Sequence, residues 1–576
     1  MKNFREIFFT VLSVIAFYIV NKITFCFINF PLDNMFESKI IEELENINIH
    51  TGKAELIAGG IAVICVWFMY LYNKYTRKNF LENKEHGSAE WGTEKDIIDF
   101  QDKEENKNIL LTQTEKFSIN TRKTFRNNNV LTIGGSGSGK TRFFVKPNIM
   151  QMNSSYVITD PKEEILKSTG KMLEENGYEV KVFDLITLKN THKYNFFEYL
   201  NDEKDILKIA NNIIMNTTPP HSKNAGDFWE KAENALLQAL IAYVFFEGLE
   251  EEKNISTVMD LLRLADVKEE DEDYESPLDI LFNDLKKENE NHFAVKQYEI
   301  YKKAAGKTAK SILISVGVRL APFNINDVAD ITREDTLELE KIGDKKTALF
   351  ILISDSDTTL NFLVAIMYQQ LLDTLFYRAD NIYNGSLPYN VMFVLDEFAN
   401  IGQIPNFQIY ISTMRSRKIS VMIILQNLNQ LKNLYKNSWE TITGNCDSLL
   451  FLGGKEQSTL KYISETIGKT TIDYKSISEN RGTNGSYSVG NQIIARDLIT
   501  PAEVGLLKSE ECILTIRGIK PFKSKKYDIE KHKNYKLLSD SNNKNIYKRK
   551  INETKEINVL NEIEKIKEIK EIELED

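Results

Sequence analysis

The sequence predicts an α/β protein with a mainly parallel sheet, an all-helical insertion and two apolar spans near the N-terminus. Three observations lead to this fold class. Short apolar strands alternate with helical patterns in two blocks of the chain, only helical patterns occur between residues 201 and 333, and two long apolar runs occupy the first 75 residues. Alternating strands and helices are typical of parallel sheets, and 576 residues suffice for several domains.

The two apolar runs are each long enough to cross a membrane. The first covers about residues 7–30 and the second about 54–73, and about 20 helical residues span a bilayer. A cleaved signal peptide is the alternative for the first run, and a buried core helix is the alternative for the second. We therefore expect residues 1–80 to form a transmembrane anchor with a short extracytoplasmic loop at 31–53.

Charged residues around these runs predict the orientation of the anchor. Lys2 and Arg5 precede the first span, Lys74 and Arg77 follow the second, and the loop between them is acidic. Positive flanks remain on the cytoplasmic side. The sequence thus predicts a two-pass protein of the cell membrane, with both termini and the large remainder of the chain in the cytoplasm.

A phosphate-binding motif follows the first predicted strand of the remainder. The run Gly134-Gly135-Ser136-Gly137-Ser138-Gly139-Lys140-Thr141 fits G-x-x-x-x-G-K-[ST] and comes directly after the apolar stretch 130–133. The glycines allow backbone N–H groups to surround phosphates, Lys140 can reach the β and γ oxygens, and Thr141 can hold Mg²⁺. A Gly/Ser-rich linker is the alternative, but linkers seldom follow a strand and end in Gly-Lys-Thr. The motif predicts a nucleoside triphosphate site.

A second acidic motif complements the phosphate loop. Val391 to Leu395 read as a buried strand that delivers Asp396 and Glu397 to its carboxyl end. In this Walker B arrangement Asp396 binds Mg²⁺ and Glu397 orients the attacking water. An ordinary surface strand end gives the same pattern, and it is the phosphate loop that favours the nucleotide interpretation. Further strands are predicted at 156–159, 180–183, 349–353, 421–425 and 449–452.

Polar and basic residues near the strand 419–425 are further candidates. Gln426 ends this strand and suits a sensor of the γ-phosphate or its water, with a simple polar strand cap as the alternative. Arg415 and Arg417 lie just before it, where an arginine inserted into a neighbouring subunit's site would stabilise transition-state charge. A solvated helix end is the competing interpretation of both arginines. The six scattered histidines and four cysteines, which lack C-x-x-C spacing, do not predict a transition-metal site.

Several segments together resemble the type IV secretion coupling proteins, the TraG/TraD-type conjugation ATPases. Besides the two nucleotide motifs they are, in chain order, His86-Gly87-Ser88-Ala89-Glu90-Trp91-Gly92, Ile158-Thr159-Asp160-Pro161-Lys162, Phe228-Trp229, Leu395-Asp396-Glu397-Phe398-Ala399-Asn400-Ile401-Gly402, Ile424-Leu425-Gln426-Asn427, Asn445-Cys446-Asp447 with Gly453-Gly454, and Arg517-Gly518-Ile519-Lys520-Pro521-Phe522. The resemblance extends to about residue 530. This chain departs from the family at Glu90, Glu163 and Phe196, where relatives often carry Arg, Gly and Pro.

The resemblance implies a membrane-anchored homo-hexamer that uses ATP and Mg²⁺ to pass a relaxase bound to single-stranded DNA, or a protein effector, to the inner components of a secretion channel. It implies a RecA-like domain at 81–200 and 334–530 and an all-α domain at 201–333. Lys140, Thr141, Asp396, Glu397 and Gln426 take the roles argued above, and Arg417 is preferred over Arg415 as the arginine acting in trans. A septal-type double-stranded DNA translocase and a nucleotide-gated docking scaffold without catalysis are the alternatives.

Charge and the C-terminal segment complete the sequence interpretation. The net charge of −10 does not favour a DNA-binding exterior, although a few lysines can line a central channel. The region 531–576 is rich in Lys, Glu, Asn and Asp, and its last part shows apolar residues every three positions. We expect a charged tail that is partly disordered or helical, with partner docking or a solvated end as the two interpretations.

Overall fold

The computed structural model of the chain describes residues 2–32, 36–76, 84–218, 227–268, 274–304, 306–480 and 486–549. It divides into two compact units, Met1–Glu85 and His86–Asp576. This boundary lies five residues beyond the predicted end of the anchor.

The second unit is built around one large sheet. The strands are β1 (Asn108–Leu110), β2 (Lys116–Ser118), β3 (Val130–Ile133), β4 (Ser155–Asp160), β5 (Glu179–Asp184), β6 (Thr347–Leu352), β7 (Val391–Leu395), β8 (Ile419–Leu425), β9 (Ser448–Phe451), β10 (Lys469–Asn480), β11 (Ser486–Asp497), β12 (Glu511–Ile516) and β13 (Phe522–Lys525). Nine of them form one sheet in the order β13-β12-β9-β3-β8-β7-β4-β6-β5, and β1–β2 and β10–β11 form separate antiparallel pairs. Strands β3 to β9 are parallel, whereas β12 and β13 add an antiparallel edge. The predicted mainly parallel sheet is confirmed.

The central strands are buried on both faces, which explains their continuous apolar sequences. Every residue of β3, β4, β6, β7 and β8 is buried. Along β4, Val157 packs into one hydrophobic core, while Tyr156 and Ile158 pack into a second core on the other face. Parallel sheets are covered by helices on both faces, so their strands lack the alternation of a half-exposed sheet.

Helices cover both faces and fill the predicted insertion. In the second unit they are α4 (Glu94–Ile97), α5 (Thr121–Thr124), α6 (Lys146–Ile149), α7 (Glu164–Glu175), α8 (Glu203–Thr217), α9 (Asp227–Glu247), α10 (Ile255–Arg263), α11 (Pro277–Glu288), α12 (Phe293–Lys302), α13 (Gly306–Leu320), α14 (Asn326–Ile331), α15 (Asn361–Tyr377), α16 (Phe407–Thr413), α17 (Leu428–Tyr435), α18 (Trp439–Gly444), α19 (Gln457–Ile467) and α20 (Pro501–Gly505), numbered after the three helices of the first unit. Between residues 201 and 333 the described part of the chain contains helices and no strand, from α8 to α14. The all-helical insertion is thus confirmed.

The first unit contains the two predicted apolar helices and a third one that the sequence analysis missed. They are α1 (Lys2–Asn29), α2 (Phe36–Glu45) and α3 (Lys53–Thr76). Segments Glu6–Asn29 and Lys53–Thr76 are long and apolar enough to cross a membrane. A Cβ added at Gly59 of α3 would lie 2.7 Å from the Phe17 ring, so this glycine allows the two helices to approach closely.

Asn21 and Lys22, the polar residues that interrupt the first apolar run, have polar partners within this unit. Lys22 is fully buried on α1, and its ammonium lies 3.3 Å from Glu43 of α2. Asn21 donates to and accepts from the backbone of His50 at 3.0 Å in each case. Because the segment between the apolar helices supplies these partners, α1 continues through the Asn-Lys pair without a break.

The predicted charged tail, 531–576, begins with an ordered segment. Residues 531–549 form short 3₁₀ turns and irregular backbone that pack against other parts of the second unit, and residues 550–576 lie outside the described residues. Lys146 binds Asp540 at 2.9 Å, and Tyr547 fits against Gly170 of α7. Charged composition suggested a solvated segment, but several of these charges have partners on distant elements that sequence reasoning did not place beside them.

Candidate functional site

The parallel strands bring all the predicted nucleotide motifs to one edge of the sheet. Loop 134–141 follows β3, Gln426 follows β8, Asp396 and Glu397 follow β7, and Asp160 ends β4. In the sheet β8 lies between β3 and β7. Gln426 is therefore placed between the phosphate loop and the two carboxylates.

A cavity of about 400 Å³ lies at this edge. It is lined by Ser136, Gly137, Gly139, Lys140, Thr141, Arg142, Asp160, Pro161, Lys162, Glu164, Ile165, Asp355, Asp396, Glu397, Asn400 and Gln426. The structure thus gathers Walker A, Walker B and the predicted sensor around one space. Lys162, whose ammonium lies 3.7 Å from Asp355, and Asn400 are lining residues for which the sequence analysis assigned no role.

The phosphate loop depends on its glycines. Gly137 and Gly139 have φ of +75° and +81°, a region that side chains other than glycine rarely adopt. A Cβ at Gly134 would overlap the Ser138 hydroxyl, so this position also excludes a side chain. The N–H of Gly135 donates to the Gly453 carbonyl at 2.9 Å, which ties the loop to the chain after β9.

The reactive side chains of the loop are held by carboxylates and backbone. The Lys140 ammonium donates to the Gly134 carbonyl at 3.0 Å and lies 3.5 Å from Glu397. The Thr141 hydroxyl donates to Asp396 at 3.1 Å. This oxygen pair, a hydroxyl and a carboxylate, suits a hard cation such as Mg²⁺, which typically uses one or two protein carboxylates together with phosphate oxygens.

Glu397 lies at the centre of the polar contacts. Its backbone is left-handed, with φ of +50°. The Gln426 side-chain amide donates to its carboxylate at 3.1 Å, and the Gln426 backbone N–H donates to the Gln430 side-chain oxygen at 2.9 Å. The end of β8 and the end of β7 are therefore connected through the two side chains that the sequence analysis predicted to be the sensor and the water-orienting residue.

Burial shapes the electrostatics of the site. Burial and the neighbouring Glu397 raise the pKa of Asp396 to about 7, against the opposing effects of Lys140 and Thr141. Burial likewise raises the pKa of Asp160 to about 6, although its carboxylate accepts from the N–H of Leu166 at 2.8 Å. Desolvated carboxylates gain from a nearby cation, so this edge of the sheet favours metal binding beside the loop.

The sequence analysis assigned no role to two residues, Asp160 and Lys526, that the structure places at the site. Asp160 follows an apolar strand, as Asp396 does, and this shared pattern was available from the sequence. Lys526, by contrast, is 392 positions beyond the start of the loop, yet its ammonium donates to the Ser138 carbonyl at 2.9 Å. Burial lowers the pKa of Lys526. A lone lysine after a short strand gives no signal of such a contact.

The two candidate arginines do not line the cavity of their own chain. Arg417 precedes β8, at the opposite end of this strand from Gln426, and forms a bidentate ion pair with Asp380 at 2.8 and 2.6 Å. Its guanidinium also lies 4.5 Å over the Phe376 ring. Arg415 donates to the Thr121 carbonyl at 2.9 Å. An action in trans by either arginine stays a prediction.

The fold and the site together define a RecA-like P-loop protein with an all-helical domain and two apolar N-terminal helices. The chain belongs to the family described as type IV secretory system conjugative DNA transfer, whose family model matches residues 82–553. The resemblance to type IV secretion coupling proteins is thereby confirmed.

Curated relatives and solved structures agree with this family. The chain is 22% identical over 409 residues to the conjugal transfer protein TraG of Rhizobium radiobacter, covering 69% of this chain and 62% of TraG. It is 24% identical over 421 residues to the type IV secretion system-coupling protein VirD4 of Bartonella henselae, covering 69% and 62%. These matches therefore span less than two thirds of each relative.

Two solved structures show the same fold. The bacterial conjugative coupling protein TrwBΔN70 matches with a TM-score of 0.52 and 15% identity, covering 70% of this chain and 85% of TrwBΔN70. The plasmid coupling protein TrwB in complex with ADP and Mg²⁺ matches with a TM-score of 0.51 and 16% identity, covering 69% and 84%. At this identity the likeness concerns the fold alone.

Proposed function

We propose that this chain is a membrane-anchored ATPase that couples a substrate to a type IV secretion channel and drives transfer by ATP hydrolysis. The convergence of Lys140, Thr141, Asp396, Glu397 and Gln426 at one sheet edge carries the proposal. Family membership supports the coupling role. The substrate is a relaxase bound to single-stranded DNA or a protein effector, and the partners are inner components of the channel.

ATP and Mg²⁺ are the cofactors that this site fits. The loop 134–141 would surround the phosphates, with Lys140 on the β and γ oxygens and the Thr141 hydroxyl and Asp396 on the metal. Mg²⁺ bound there neutralises phosphate charge. The solved TrwB complex with ADP and Mg²⁺, together with the fold shared with TrwB, supports this assignment.

Glu397 is the proposed base or water-orienting residue. Its carboxylate is held between the Lys140 ammonium at 3.5 Å and the Gln426 amide at 3.1 Å. A phosphate group in the loop competes with Glu397 for the Lys140 ammonium and leaves the carboxylate to Gln426 and water. The contacts of Gln426, which directly follows β8, then depend on whether a phosphate occupies this end of the cavity.

Family membership and the distribution of charge support the following proposal for the assembly around this site. We assign residues 81–200 and 334–530 to the nucleotide-binding domain and 201–333 to the all-α domain. The basic flanks of the two apolar helices favour a two-pass cell-membrane topology with both termini cytoplasmic. We propose a homo-hexamer in which Arg417, or secondarily Arg415, stabilises charge in a neighbouring site. For Arg417 this requires release from Asp380.

Nucleotide binding, ATP hydrolysis and plasmid transfer, each measured on three variants, test the proposal. In detergent-purified full-length protein, Glu397→Gln should bind ATP but lower kcat by about 100-fold or more, because the positioned carboxylate is lost. Lys140→Ala should lose most nucleotide binding. Glu465→Gln is the matched control, since this carboxylate is 67% exposed and has only a 3.9 Å contact with Lys461.

The same variants are then compared in cells for transfer of a mobilisable plasmid. Membrane levels measured by blot must be equal. Loss of transfer with Lys140→Ala and Glu397→Gln, but not with Glu465→Gln, supports an ATP-driven coupling protein whose cargo includes DNA. Normal transfer by both site variants would reject that function and favour a scaffold or a protein-only exporter.

A further inference from the structure

Lys526 is a buried cation for which the described part of the chain supplies no ion-pair partner. Its residue is 8% exposed, and within the described ranges no carboxylate forms an ion pair with its ammonium. The other buried lysines behave differently. Lys22, Lys140, Lys146 and Lys181 each lie within 3.5 Å of a carboxylate oxygen. Burying an unpaired charge is costly, so the charge of Lys526 calls for a compensating group.

The contacts of this ammonium point to the phosphate loop. It donates to the Ser138 carbonyl at 2.9 Å and lies 5.3 Å over the ring of Phe143. That ring occupies the space beside Gly139, where a Cβ would overlap it. Lys526 therefore contacts the loop through its backbone and through the side chain that packs under its last glycine.

The direction of the hydrogen bond matters for anion binding. In a trans peptide the C=O of Ser138 and the N–H of Gly139 point in opposite directions. Since the carbonyl points to Lys526, the Gly139 N–H points away from it. A cation on the carbonyl polarises the peptide and strengthens its N–H as a donor, because hydrogen bonds in a chain reinforce one another.

We propose that Lys526 is a positioning residue for the phosphates, supplying positive charge from behind the loop and strengthening the Gly139 N–H as a phosphate donor. The inference rests on the proposed nucleotide function of this site. In the absence of nucleotide, no carboxylate of the described residues forms an ion pair with Lys526. A bound polyphosphate provides the opposite charge, so Lys526 favours the nucleotide-bound state over the free state.

The Lys526→Met variant separates this role from a structural one, because the two roles predict opposite effects on the free protein. If Lys526 only supports the fold, its loss lowers the unfolding temperature without nucleotide. If it serves the phosphates, removing an unpaired buried charge leaves that temperature unchanged or raises it. Affinity for ADP with Mg²⁺, measured by calorimetry on the detergent-purified full chain, should fall about tenfold, and the stabilisation by ADP should shrink accordingly.

Two further variants complete the experiment. Lys525→Met is the matched control, since Lys525 is an exposed neighbour and its loss should leave ADP affinity unchanged. Lys526→Arg keeps the charge and a donor, and should bind ADP within about threefold of the wild type. ADP binding by Lys526→Met within twofold of the wild type would overturn the proposal. Equal weakening by Lys526→Arg and Lys526→Met would also overturn it.

The proposed function and this inference fail in different ways. Unchanged ADP binding by Lys140→Ala would reject the proposal that the phosphate loop binds nucleotide. If Lys140→Ala loses ADP binding and Lys526→Met binds ADP as the wild type does, the nucleotide site is supported and only the proposed role of Lys526 is rejected.

Discussion

Arg549 connects the last described residues to the end of β5 and to the residue before α7. Its guanidinium binds Asp184, at the end of β5, and Glu163, just before α7, at 2.6 Å in each case. Asp184 is fully buried as a side chain and Arg549 is 17% exposed. Replacing Arg549 by Met therefore leaves a buried carboxylate without its cation.

The magnitude follows from what remains around Asp184. Removing one partner of a fully buried ion pair costs about 3–5 kcal/mol. Asp184 retains hydrogen bonds from the Ile186 N–H and from the N–H and hydroxyl of Thr187, at 2.7, 3.0 and 2.6 Å. These contacts continue to stabilise the carboxylate, and Arg549 is not completely buried, so we expect Arg549→Met to lower the free energy of unfolding by about 2 kcal/mol.

Urea unfolding of the detergent-purified protein measures this change. Lys548→Met is the matched control because Lys548 is an exposed neighbour, and it should change the unfolding free energy by less than about 0.5 kcal/mol. Equal stability of Arg549→Met and the wild type would refute the reasoning that residues 531–549 are an integral part of the second unit.

Three further predictions follow from other contacts. Burial lowers the pKa of His532 to about 4, whereas the value in the unfolded chain is about 6.5. The free energy of unfolding is therefore highest above pH 6.5 and decreases by up to about 3 kcal/mol as the pH falls towards 4, because the unfolded chain binds the proton more tightly. His532→Gln should flatten the pH dependence of the unfolding temperature. Glu163→Gly removes the strain of a left-handed non-glycine residue (φ of +56°) but also removes the ion pairs with Arg549 and Lys167. We expect the free energy of unfolding, measured with urea, to fall by about 1 kcal/mol, and an increase would contradict this. The Asn216 side chain accepts from the Gln403 N–H at 2.7 Å and donates to the Gln403 carbonyl at 3.0 Å. Asn216→Ala should lower kcat for ATP hydrolysis more than it raises KM, because the loop after Glu397 loses these two hydrogen bonds. An unchanged kcat would reject this prediction.

Strong local patterns made the sheet and the nucleotide motifs predictable. A strand buried on both faces needs only apolar residues, so the runs at 156–159, 391–395 and 421–425 identified their strands directly. The phosphate loop is a contiguous motif, and its glycines are required by backbone geometry at Gly137 and Gly139. The placement of Asp396 and Gln426 at the same edge followed because parallel strands end at the same edge of a sheet.

Contacts between distant positions could not be predicted in this way. The partners of Lys526, Arg549 and Lys22 lie on other elements, and a single charged residue carries no pattern that identifies its partner. The same limit applies to residues 531–549, whose charged composition did not identify the partners of Asp540 and Arg549. Glu163 shows it again, because only the fold reveals that Arg549 binds this glutamate in its left-handed position.

The sequence by itself determined the α/β class, the two apolar helices, the all-helical insertion and the chemical types gathered around the phosphates. These features depend on composition, periodicity and contiguous motifs, which are local properties of the chain. The tertiary structure alone decided the strand order that places Gln426 between loop and carboxylates, the burial that raises the pKa of Asp396 to about 7, and the arrival of Lys526 behind the phosphate loop. Burial and long-range contacts depend on how the whole chain packs, because desolvation and charge pairing are set by neighbours in space.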